Sequence, residues 1–276
     1  MRQLLTKQNR ALLSELVRTD FKLRYQGSVL GYAWSLLRPL LLFVILYVVF
    51  VNFLKFGANI PHFPIYLLLG IVLWNFLSEM TTQSLGSIVG RADLIRKIRI
   101  PRWIIVLSSS ISALINLCLN LLVVLVFVLF NDVELTRSVL WLPLILAEIY
   151  LLALGISLFL AAAFVKYRDV GYIWDVVLQA GFYLTPIIYP LSKITDMTIA
   201  GVHVSGETIL KFMLLNPMAQ AIQDARYAVV TPQTQTIHQI FHGGWYRFIP
   251  AMAVTVILMG GLLYFRKQAK YFAENI

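Results

Sequence analysis

The chain has 276 residues, 59% hydrophobic and 13% charged, with a formal net charge of +10. A soluble domain carries about 25% charged residues. The apolar surplus therefore faces lipid, and the composition excludes a water-soluble globule. The single cysteine, Cys118, sits in an apolar run and excludes a disulfide framework and a cysteine-based metal site. The four histidines, His62, His203, His238 and His242, form no clean ligand pattern. His238 and His242 are four apart, but no acidic residue or third ligand lies close by in the sequence.

Residues 1–38 keep charges throughout, which is not the pattern of a signal peptide. The segment is amphipathic. Arg10, Ser14, Arg18 and Lys22 recur every four residues on one face, opposite Leu5, Leu12, Leu13, Leu16, Val17 and Phe21. A basic helix with an apolar face lies in the membrane interface; the alternative is a solvated helix packed on other protein.

Six stretches approach the roughly 20 apolar residues that a spanning helix needs. They are Pro39–Leu54, Phe63–Leu85, Trp103–Phe130, Val139–Val165, Gly171–Tyr189 and Phe248–Phe265. Tyr32, Ala33, Trp34, Leu36 and Leu37 extend the first, which is short. The fifth holds Asp175, Gln179 and Pro186 and is the least regular. Positive loops stay in the cytoplasm. With a cytoplasmic N-terminus, seventeen of the 23 Lys and Arg fall inside and six outside. The expectation is a six-span chain with both termini cytoplasmic, whose positive charge meets anionic lipid. No soluble basic face is present, which argues against nucleic acid. The long connection at 190–245 carries two apolar pieces too short to span, Ile209–Leu215 and Met218–Val230, expected as re-entrant or interfacial helices.

No catalytic set is visible. None of the fifteen glycines precedes a lysine, so the phosphate-cradling loop of nucleotide-binding enzymes is absent. Polar residues inside apolar spans remain. Asn75, Glu79, Thr82 and Gly86 share one helical face of span two; Asp175, Gln179, Phe182 and Pro186 share one of span five. Charges in a bilayer face a bundle interior or a water-filled path. The competing explanation is interhelical hydrogen bonding. Aromatic rings form a second group: Phe43, Tyr47 and Phe50 on span one, with Phe182, Tyr183 and Tyr189 near the end of span five. Such rings suit sugar stacking, and also suit a membrane interface. The segment Arg91–Arg102, RADLIRKIRIPR, reads as a short helix between spans two and three. Asp93 favours its start, and Arg96, Lys97 and Arg99 favour its end. Leu94, Ile95 and Ile98 are its apolar contacts, suited to a groove on a soluble partner; a basic loop on lipid headgroups is the alternative.

These stretches, together with RYQGSVLGYAWSLLRPLL, PIYLLLGIVLWNF, LIRKIRIPR, KYRDVGYIWDVVLQ, LTPIIYP, LNPMAQAIQDARY and YFRKQAKYFAENI, resemble the permease subunit of ABC-2-type polysaccharide exporters, which move O-antigen, teichoic acid and related glycans. One departure is Ile100, where the family often has Phe before Pro-Arg. The resemblance implies an all-α integral membrane fold over 1–276, in one ABC-2-type domain. Residues 1–37 would be an interface region, 91–101 a coupling helix and 190–245 an extracytoplasmic gate. It implies a homodimer with two copies of a separate ATPase, which would bind ATP and Mg, leaving no cofactor on this chain. Asp93, Leu94, Ile95, Arg96, Lys97, Ile98 and Arg99 would meet the ATPase. Spans one and five would line a channel for a lipid-linked glycan, with Phe43, Tyr47, Phe50, Glu79, Asp175, Gln179, Phe182 and Tyr183 along it. An exporter of a drug or lipid on the same fold, a membrane scaffold and a lipid-modifying enzyme are the alternatives.

Overall fold

The computed structural model describes residues 7–25, 27–28, 30–53, 55, 60–97, 101–199, 202–241 and 244–272. The architecture is helical, with one short antiparallel hairpin, β1 (Met197–Ile199) and β2 (Val202–Val204), that the sequence reading did not anticipate.

The helix α1 (Lys7–Tyr25) is amphipathic as expected. Arg10, Ser14, Arg18 and Lys22 are all exposed, while Leu16 is buried and Leu12, Leu13 and Val17 are half-buried. Its partner is α5, so the helix packs on its own chain. Span one is α2 (Trp34–Tyr47), continued by a π-helical stretch, Val48–Phe53. Pro39 lies inside α2 and has no N–H for the carbonyl of Ser35, four residues back. Asn120 on α5 (Trp103–Phe130) supplies the missing donor, its Nδ2 lying 3.4 Å from Ser35 O.

At the centre stands α3 (Phe63–Ser87), which packs against α2, α5, α6 (Leu142–Lys166), α7 (Val170–Leu184) and α9 (Pro217–Val229). Interhelical hydrogen bonds radiate from it. Trp174 Nε1 on α7 donates to Thr81 Oγ1 at 3.0 Å, and Ser157 Oγ on α6 donates to Met80 O at 3.3 Å. Helix α11 (Ile249–Gln268) crosses α6 at two glycines. A Cβ on Gly155 would stand 2.7 Å from Leu258 Cα, and one on Gly261 would strike the Gly155 carbonyl. Small residues let spanning helices approach closely in lipid, where dispersion replaces the hydrophobic drive.

Among the described residues, five helical segments are long and apolar enough to cross a membrane: Trp34–Phe53, Phe63–Ser87, Trp103–Phe130, Arg137–Lys166 and Trp245–Tyr271. The expected sixth is not among them, because α7 has only 15 residues. At 1.5 Å per residue it is about 22 Å long, against a hydrocarbon core of about 30 Å. The stop is Pro186. The residue before a proline avoids the helical region, and Thr185 is extended at φ −85°, ψ 137°. Pro186 is therefore off the helical face on which the sequence reading put it.

The bundle has two unlike ends. At one, Arg91 pairs with Asp20 of α1, and Ser108 Oγ donates to Asp20 Oδ2 at 3.1 Å. There a turn at Val89–Arg91 leads into α4 (Ala92–Lys97), and Arg102 donates to the carbonyl of Ala269. At the other, α8 (Gly206–Leu214) and α9 match the two expected short pieces, followed by α10 (Ile237–Ile240). Asn216 caps α9 by accepting from Met218 N at 3.0 Å, with Pro217 at its first position. Nearly every residue of α9 is buried, so it is a core element rather than an interfacial one. Residues 1–6, 26, 29, 98–100, 200–201 and 242–243 of the expected interface, coupling and gate regions lie outside the described residues, and His242 with them.

Two stability predictions follow the packing. Gly155→Ala should cost about 1–3 kcal/mol, because the obstacle is backbone, and Gly260→Ala should be silent, since its Cβ meets nothing within 4 Å. Thermal midpoints of the detergent-solubilised variants compare them. Asn120→Ala should destabilise the chain by about 0.6–2 kcal/mol, seen as a lower midpoint. Adding Pro39→Ala should recover part of the loss, since residue 39 then has an N–H for Ser35.

Candidate functional site

A polar cavity of about 410 Å³ opens between α2, α3 and α5. From α3 come Asn75, Ser78, Glu79, Thr82 and Gln83, the side chains that recur at helical spacing along one face. From α2 come Trp34, Ser35 and Arg38, and from α5 comes Asn120. The expected face of Asn75, Glu79 and Thr82 is therefore brought together. Gly86, one turn further, stands half-buried with open space around its Cα.

Glu79 is held in place. Its Oε1 accepts from Gln83 Nε2 at 2.8 Å and from Asn116 Nδ2. The two amides hold the Glu79 carboxylate at the cavity wall. Arg38 brings a guanidinium to the same space, and Trp34 an indole that is 45% exposed. Carboxylate, guanidinium, amides and hydroxyls together pair with both the donors and the acceptors of a hydroxyl-rich ligand. The indole offers an apolar face to a ring.

The other expected residues stand apart from this cavity. Phe43 is buried in the chain's own core, edge-on to Phe127 of α5 at 5.9 Å and 5.8 Å from Tyr47. Tyr47 and Phe50 are half-buried against the same core. On α7, Asp175, Gln179 and Tyr183 are exposed, while Phe182 lies edge-on to Trp74 at 6.2 Å. Gly181 makes room for that indole, whose tip would lie 2.7 Å from a Cβ there. In the coupling segment, Asp93 is exposed in the first turn of α4 and Leu94 is half-buried. Ile95 leans on the cluster of Ile88, Ile105 and Val106. The backbone of Arg96 and Lys97 ends α4, and Ile98 and Arg99 lie outside the described residues.

Sequence reasoning missed Trp34, Ser35, Ser78, Gln83, Asn120 and above all Arg38, which the charge count treated as flanking the first span. The available signal was its place beside Pro39 inside α2. Asn116 and Asn120, four apart in span three, were a second signal, since both amides face neighbouring helices.

The ABC-2 type transporter family matches residues 11–205 of this chain. An "O-antigen export system permease protein RfbA" from Myxococcus xanthus is 29% identical, over 98% of this chain and 96% of its own length. A protein of the same name from Klebsiella pneumoniae is 27% identical over 95% and 94%. The "Polysialic acid transport protein KpsM" of Escherichia coli is 21% identical over 76% and 78%. A multi-pass helical bundle, a polar cavity between its spans and a match over most of the length agree: the chain belongs to the ABC-2 type transporter membrane family.

Proposed function

We propose that this chain is the permease subunit of an exporter that moves a polysaccharide across the membrane, driven by a separate ATPase. The observation that carries the reading is the end-to-end similarity to proteins named as O-antigen export permeases. The site supports it, because the polar groups of the cavity match sugar hydroxyls and include a ring face.

In this reading the end bearing α1 and α4 is cytoplasmic, as the charge bias requires. The ATPase, which holds ATP and Mg, docks on α4 through Asp93 and Leu94, with Arg96, Lys97, Ile98 and Arg99 alongside. The Asp20–Arg91 pair and Ser108 tie that contact to α1 and α5, so a push on α4 reaches the wall of the cavity. The exposed face of α7, with Asp175, Gln179 and Tyr183, meets a second copy of the chain across the path. The glycan enters on a lipid carrier from the cytoplasmic side. Phe43, Tyr47 and Phe50 support the wall from behind, because they pack inward.

Glu79→Gln keeps the acceptor for Asn116 and Gln83 but removes the charge. A hydrogen bond to a charged group is worth about 1.5–3 kcal/mol, which is tenfold or more. Glu79→Gln with Arg38→Gln should therefore cut surface glycan, normalised to assembled complex, by about tenfold or more. Leu129→Ala, on the exposed side of α5 away from the cavity, should leave it unchanged. Wild-type export from the double variant would remove the cavity from the path.

A further inference from the structure

Arg226 lies on α9 and is fully buried, with 0% of its surface exposed. It has no carboxylate partner among the described residues. Its neighbour Asp224 turns away: Gln220 donates to that carboxylate, and burial pushes it above the usual carboxylate range, opposed by the Gln220 bond and the charge of His238. A buried, uncompensated cation is costly unless its donors are fully used.

They are used on backbone. Nε donates to Tyr66 O at 2.9 Å, one terminal nitrogen to Pro186 O at 2.6 Å and the other to Ile187 O at 2.7 Å. The guanidinium also stacks 3.6 Å from the centroid of the Tyr66 ring, a cation–π contact. Gln223, one turn back on α9, accepts from Tyr66 Oη at 3.2 Å. The socket has a floor: a Cβ on Gly70 would collide with a terminal nitrogen of the guanidinium.

Two of the three acceptors are the carbonyls of Pro186 and Ile187, just past the end of α7 at Leu184, where the chain has left the helix. One planar fork thus joins α3, α9 and the end of α7. We infer that Arg226 is a positioning residue, which fixes where the exposed face of α7 ends and so sets the outer part of the transport path. Gly70 is the complementary feature that seats it. Lysine cannot replace the fork, because its single ammonium does not span three carbonyls on two segments.

The inference rests on α7 bordering the path, so the test reads position and export separately. The chain is expressed with its ATPase, in a Cys118→Ser background carrying Tyr183→Cys. Labelling by a membrane-impermeant maleimide reports the end of α7 whatever the substrate is. Gly70→Ala, Arg226→Lys and Arg226→Met are each expected to change the labelling rate at least fivefold, with the amount of chain in the membrane within twofold of the parent. Each, with Tyr183 restored, should cut glycan export per complex at least tenfold. Gly70→Ala added to Arg226→Met should cost less than twofold more, since the guanidinium it displaces is gone. An unchanged labelling rate in Gly70→Ala would overturn the inference, as would independent, multiplying losses. Disappearance of the variants from the membrane in proportion to lost export would also overturn it, by making Arg226 a fold-stabilising group only. A shifted labelling rate with no glycan export by the parent chain would instead contradict the proposed function and leave the positioning role standing.

Discussion

A helix in hydrocarbon must satisfy every backbone N–H and C=O from within the protein. This chain breaks that rule at two prolines and repairs it from neighbouring helices. Pro39 orphans the carbonyl of Ser35, and Asn120 of α5 reaches across to it. Pro186 ends α7, and its own carbonyl and that of Ile187 are taken by Arg226 of α9. Each repair is also a tie between elements distant in sequence, so the places where a helix fails are the places where the bundle is fastened. Dispersion contact is closest where Gly155 and Gly261 let α6 and α11 touch backbone to backbone.

The polar residues therefore divide by partner. Thr81, Ser157, Trp174, Gln223 and Arg226 each bond to another part of the bundle. Glu79, Asn75, Thr82 and Arg38 border open space. Glu79 belongs to both groups, since two amides orient it while it lines the cavity. Interhelical bonding and the lining of a cavity are not competing roles for such residues: the first holds the cavity in shape. The Asp20–Arg91–Ser108 cluster does for the α4 end what Arg226 does for the opposite one, linking a peripheral element to a long helix.

Much of this was legible in the sequence, because lipid makes periodicity and length strong signals. The exposed face Arg10, Ser14, Arg18 and Lys22 of α1 was read correctly, as was the alignment of Asn75, Glu79 and Thr82. Helices α8 and α9 fell within a few residues of the expected pieces. What failed was the effect of one residue on many. Pro186 stops α7 five residues short of the expected span, which hydropathy cannot see. Arg226, counted as an outer-loop charge, is the largest fully buried side chain among the described residues, because its partners are carbonyls, which carry no sequence signature. Phe43 shares a face with Tyr47 and Phe50 as expected, yet periodicity cannot say whether a face meets a channel or, as here, Phe127 of α5.

The central claim is that the space between α2, α3 and α5 is aqueous while the outer face of α5 is in lipid. Its most direct test is the reactivity of single cysteines in a Cys118→Ser chain in native membrane vesicles, using a small charged thiosulfonate. Ser78→Cys and Thr82→Cys should react at least tenfold faster than Leu125→Cys and Leu129→Cys, and faster still than when the reagent is confined to the side opposite α4. Ser78→Cys and Thr82→Cys as unreactive as the two lipid-facing positions would contradict the account, and would leave the polar face of α3 as packing alone.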